Sequence, residues 1–86
     1  MYAIINRIQE AQGERVYCLG MGHTERDARM AAFAYVHHGH NIYDNEYLGG
    51  EVVPADPEIS RCWEAGFNHG VCMRNGRLEL INPCPV

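Results

Sequence analysis

Tyr2 to Ile8 is crowded with β-branched and aromatic side chains, and Val16 to Leu19 repeats that character after the polar stretch Glu10-Ala11-Gln12-Gly13-Glu14. Two such runs around a polar, glycine-containing linker predict a β-hairpin. The pattern then changes period. Thr24 offers an N-cap hydroxyl, Asp27 stands where a capping-box acid reaches back, and no helix breaker interrupts Ala28 to His38. These features predict a helix from about Glu25 to His38, closed by Gly39. Ala28, Ala31, Ala32 and Tyr35 would line one small-residue face suited to close packing on a sheet, with Met30, Phe33 and Val36 adding bulk around it.

From His40 to Ala55 no period persists. Gly49-Gly50 and Pro54 punctuate the segment, and Glu51-Val52-Val53 is its only strand-like piece, which predicts a long loop over about 40–56. Asp56-Pro57 is a strong helix start, since the carboxylate caps free N–H groups and proline suits the first helical position. Ile59, Cys62, Trp63, Gly66 and Phe67 follow at helical spacing and form an apolar stripe ending at Gly70. Finally Val71–Arg74 and Arg77–Ile81 flank Asn75-Gly76, the residues a type I′ turn requires. That turn sets Met73 opposite Leu78 and Val71 opposite Leu80 on the buried side, with Cys72, Glu79, Arg74 and Arg77 outward. The order ββα, loop, αββ predicts an α+β domain over residues 1–86, with a four-stranded antiparallel sheet, both helices on one face and the other face open.

Charge changes this picture at the loop. Between Met30 and Ser60 the chain has no Lys or Arg but carries Asp44, Glu46, Glu51, Asp56 and Glu58. Acids without counterions repel one another and favour a basic partner. Tyr43 and Tyr47 are interleaved with them and would supply aromatic anchors, so Tyr43, Asp44, Glu46, Tyr47, Glu51, Asp56 and Glu58 are the candidate partner-binding residues. The bland alternative is an acidic segment that only keeps the domain soluble. A formal charge of −4 with seven Arg and no Lys disfavours direct nucleic-acid binding, although Arg74 and Arg77 could form a local basic spot. The chain has neither a basic leader followed by an apolar run nor an apolar stretch of bilayer length, and it reads as soluble and cytoplasmic. Its four cysteines then read as reduced thiols.

Candidate chemistry is sparse. Gly20-Met21-Gly22 resembles a phosphate loop but lacks its third glycine, and Glu25 and Asp27 put carboxylates where a phosphate would sit; a tight strand-to-helix turn is the simpler reading. His37, His38 and His40 cluster at a helix end, where adjacent residues point about 100° apart, a poor arrangement for a shared metal. Cys62, His69, Cys72 and Cys84 are the zinc candidates by ligand type, without a Cys-x-x-Cys pair. His69 and Cys72 could form a thiol–base pair. A small metal-binding or thiol-active protein centred on Cys62, His69 and Cys72 is therefore one alternative function, and an oligomerising domain is another. No Ser-His-Asp pattern is present, and neither an enzyme nor a cofactor is expected.

The junction Tyr17-Cys18-Leu19-Gly20-Met21-Gly22-His23-Thr24-Glu25-Arg26-Asp27-Ala28, with the chain's size and ββα opening, resembles small proteins of bacteriophages and mobile elements, including some anti-CRISPR proteins. The resemblance implies an acidic inhibitor, acting in the host cytoplasm, that blocks a nucleic-acid-binding surface of a Cas effector complex. It transfers no functional residue.

Overall fold

The computed structural model describes residues 1–64 and 70–81, with the backbone alone for Cys62, Trp63 and Glu64. The first hairpin is long: β1 (Tyr2–Glu10) pairs antiparallel with β2 (Gly13–Gly22), and the chain reverses at Ala11 and Gln12 and leaves the turn through Gly13, whose φ of +121° suits glycine. Helix α1 (Glu25–Val36) begins as its cap requires, with the Thr24 hydroxyl accepting a hydrogen bond from the Asp27 N–H at 3.0 Å. It stops short of the expected His38, because His37 caps it and His38 already has φ of 59°.

Strand β3 (Glu51–Pro54) forms where the short extended piece was expected, and it pairs antiparallel with β1, setting Ala3 opposite Val53 and Ile4 opposite Val52. Helix α2 (Pro57–Glu64) follows, and then β4 (Val71–Arg74) and β5 (Arg77–Leu80). Asn75 and Gly76 both have positive φ, and the register is the expected one, Met73 opposite Leu78 and Val71 opposite Leu80.

The strands do not merge into one four-stranded sheet. They form a three-stranded sheet, β2-β1-β3, and a separate β4-β5 ribbon, joined by a parallel bridge between Ala55 and Leu78. Nor do the helices share a face. Ala3, Ile5, Cys18 and Val53 point to one side and pack with Ala55, Ile59 of α2 and Leu78 of β5. Ile4 and Leu19 point to the other side and pack with Ala28 and Ala32 of α1. The physical reason is in β1 itself: Ala3, Ile4 and Ile5 are all fully buried, a continuous run that needs cover on both faces. The expected open face is therefore covered by α2 and the ribbon.

Gly20 and Gly22 belong to β2 and are not a strand-to-helix turn. A Cβ on Gly20 would run into the backbone of Ala28, Ala31 and Ala32, so the glycine lets α1 lie directly on the strand. The small-residue face of α1 meets the sheet through buried Ala28 and Ala32, with Ala31 half-buried and Tyr35 exposed. In β2 a bulge opposite Ile4 and Ile5 lets Leu19 join Ile4's side while Cys18 stays on Ile5's.

Candidate protein-binding loop

Residues 37–50 carry the chain from α1 to β3. The segment is aperiodic, yet polar side chains order it from within. The Asn41 amide donates to the Met30 carbonyl at 3.0 Å and to the Asn45 carbonyl at 3.1 Å, while its oxygen accepts the Asn45 N–H at 2.7 Å. One short side chain thereby ties the loop to α1 and closes a turn within it. At the far end Arg29 of α1 donates to the carbonyls of Tyr47 at 2.9 Å and Gly49 at 3.4 Å, and its own carbonyl accepts the Tyr47 N–H at 3.0 Å. Glu25 holds the Arg29 guanidinium at 3.1 Å. The Tyr47 side chain is half-buried and packs against the Ile4, Leu19, Ala28 and Ala32 cluster.

Between and beside these anchors lie the most exposed large apolar side chains among the described residues: Ile42 and Tyr43 at 79% exposure and Leu48 at 82%. Asp44 and Glu46 are exposed alongside them, and among the described residues neither forms an ion pair. An apolar side chain left this open by an ordered backbone gains most from a partner that covers it.

The remaining acids of the sequence-predicted site go elsewhere. Glu51 lies on β3 and is gripped by Arg7, at 3.0 Å to Nε and 2.7 Å to Nη2; this hydrogen bond, foremost, raises the Arg7 pKa. Asp56 caps α2, its carboxylate accepting the Glu58 N–H at 3.0 Å, with Arg77 3.9 Å away. Glu58 pairs with Arg61 at 2.6 Å. The structure thus keeps Tyr43, Asp44 and Glu46 together on the exposed loop, gives Tyr47 a half-buried anchoring position, and supplies Glu51, Asp56 and Glu58 with local partners. Ile42 and Leu48 were missed by sequence reasoning; their signal was two large aliphatic residues in a segment with no period to bury them.

The thiol and metal candidates are only partly in view. Cys18 is buried with its Sγ 3.8 Å from the Gly20 carbonyl, and burial pushes the thiol up to about 11, opposed in part by a backbone hydrogen bond with Gly20 that favours the thiolate. It is an inert core residue at neutral pH. Cys18 and Cys72 are free thiols, and Cys72 is half-buried. His69, Cys84 and the side chain of Cys62 lie outside the described residues. Among the described residues no group of three or more His, Cys, Asp and Glu is placed to hold a metal ion. His37, His38 and His40 are exposed, with His37 stacked on Phe33 at 4.1 Å between ring centroids.

Among the described residues no helix is long and apolar enough to cross a membrane. Compared with protein families, curated proteins and solved structures, the chain matches none. The fold and the loop define an α+β protein that displays an ordered, exposed acidic-apolar segment.

Proposed function

We propose that this chain is a non-enzymatic binding protein whose loop, residues 40–50, docks on a basic, partly apolar surface of a larger partner. The observation that carries this reading is the near-complete exposure of Ile42, Tyr43 and Leu48 on a backbone held by Asn41 and Arg29. Covering each would contribute on the order of 1.5–3 kcal/mol before the costs of association. A preordered loop lowers those costs. Among the described residues Asp44 and Glu46 form no ion pair, and carboxylates beside apolar anchors steer encounter with Arg- or Lys-rich surfaces and reject acidic ones. The resemblance of Tyr17–Ala28 to anti-CRISPR proteins supports a narrower form: an inhibitor, encoded by a phage and acting in the host cytoplasm, that engages the nucleic-acid-binding surface of a Cas effector complex.

Pull-down from bacterial lysate at low and moderate salt tests both levels. Two variants are compared with the parent chain: Asp44→Asn with Glu46→Gln, and Ile42→Ser with Tyr43→Ser and Leu48→Ser. Exposed substitutions of this kind shift folding stability by about 0.5 kcal/mol or less each, so circular dichroism should be unchanged. The expected result is a partner retained by the parent chain, lost with the apolar variant, and held with weaker salt dependence by the acid variant. Equal retention by all three proteins sinks the loop reading. If the partner is retained but guide-loaded Cas complexes bind target DNA equally well with and without the protein, only the narrower form fails.

A further inference from the structure

We propose that the outer edge of β2 is a self-association surface, on which a second copy of this chain adds its own β2 antiparallel about a two-fold axis at Val16. Among the described residues β2 has a ladder neighbour on one side only, β1. The opposite edge of the sheet is blunted, since β3 has four residues and ends in Pro54, whereas β2 runs for ten with no Pro or Lys. Such an edge exposes a row of backbone donors and acceptors that an extended strand can satisfy.

The surroundings of the edge fit a strand with side chains on both faces. A cleft of about 710 Å³ wraps it, with Ile8, Tyr17 and Tyr35 on the α1 side and Val16, Val71 and Ile81 on the ribbon side. Ile8, Tyr17, Tyr35 and Ile81 are among the exposed large apolar side chains, so this surface gains from being covered. It is also locally neutral in a chain of net charge −4: Glu14 pairs with Arg7 at 3.3 Å and Arg15 with Glu10 at 3.6 Å. Two copies therefore meet here with little of the repulsion that their overall charge brings elsewhere.

Symmetry and charge then choose the register. In an antiparallel pair, opposed residues share a face, so a two-fold axis between identical strands passes through a residue opposed to itself. The regular ladder of β2 is limited to Gly13–Cys18 by the bulge. An axis at Glu14 or Arg15 sets like charges directly opposite, which is destabilising, and an axis at Tyr17 runs into the bulge. The axis at Val16 sets Arg15 opposite the second copy's Tyr17 and Glu14 opposite its Cys18. Arg15 already favours Tyr17 within one chain, where it donates to the hydroxyl at 3.3 Å and lies 6.0 Å from the ring centroid. The two-fold repeats that cation–aromatic contact across the interface.

Sedimentation and light scattering of the purified chain over a concentration series should show a monomer–dimer equilibrium. Two substitutions at the same exposed position then act in opposite directions. Tyr17→Arg opposes like charges twice per dimer and should weaken association about tenfold, and Tyr17→Glu opposes unlike charges and should tighten it. Both remove the same aromatic ring, so a folding defect would move them alike. A monomer throughout the series overturns the proposal, as does a dimer that responds equally to both substitutions, or a chain that associates only with a heterologous extended peptide. The loop variants above leave this equilibrium unchanged, which separates it from the proposed partner binding.

Discussion

Cys18 shows how one side chain's surroundings decide its chemistry. In the folded chain its thiol keeps its proton to about pH 11, against an ordinary value of 9.0, because burial disfavours the thiolate. Between those values the unfolded chain holds fewer protons than the folded one, so stability is full below pH 9 and falls as pH rises through 11. The loss amounts to about 2–3 kcal/mol, near 1.4 kcal/mol per pH unit. Denaturant titrations at pH 8, 9.5 and 11 should show this slope in the parent chain and a flatter one in Cys18→Ala; equal slopes would mean that the thiol ionises freely in the fold. The sequence displayed Cys18 in an apolar run, but not its depth, which follows from the bulge and from the elements above the sheet. Gly20 was similarly visible as a glycine and was assigned to a turn, because a strand glycine that makes room for a helix leaves no local mark.

At the level of single elements, local signals were read well. Thr24 and Asp56 cap the helices they were expected to cap, and Asn75-Gly76 makes the turn that fixes the β4–β5 register. What escaped was pairing at a distance. Glu51, Asp56 and Glu58 formed one acidic run with Asp44 and Glu46 in the sequence, but the register of β3 against β1 sets Glu51 within reach of Arg7. No linear charge pattern contains that information. The loop's internal order was hidden for the same reason, since Asn41 works by bonding to Met30 and Asn45. Asn41→Ala removes three hydrogen bonds at a partly exposed site, for a local cost of about 1–2 kcal/mol. Amide exchange at Asn45 and Tyr47 should accelerate about tenfold or more, while Ala28 and Ala32 within α1 keep their protection. Unchanged exchange at Asn45 would show that the loop is ordered by something else.

For the whole molecule, the decisive fact is that β1 is covered on both faces. The α+β class was legible from the alternation of strand-like and helix-like runs; the layering was not, although Ala3-Ile4-Ile5 carried its signature in three apolar residues without a polar one between. A sheet with one open face would lose little from Ile4→Ala or from Ile5→Ala, depending on which face was bare. Here both side chains are fully buried, Ile4 beneath α1 and Ile5 beneath α2 and the ribbon. Each truncation should cost about 2–5 kcal/mol in chemical denaturation. A cost below about 1 kcal/mol for either would contradict the two-sided packing.

The loop that displays Ile42, Tyr43 and Leu48 is also the connector that delivers β3 to β1. Release of that strand would break the Arg7–Glu51 pair and leave the displayed segment tied to α1 alone. A partner that grips the loop in its native form therefore holds β3 in place, and mass action makes the bound chain harder to unfold. In a cell, where proteases cut whatever opens, such a protein would outlive its unbound copies. Its abundance would then follow that of its target.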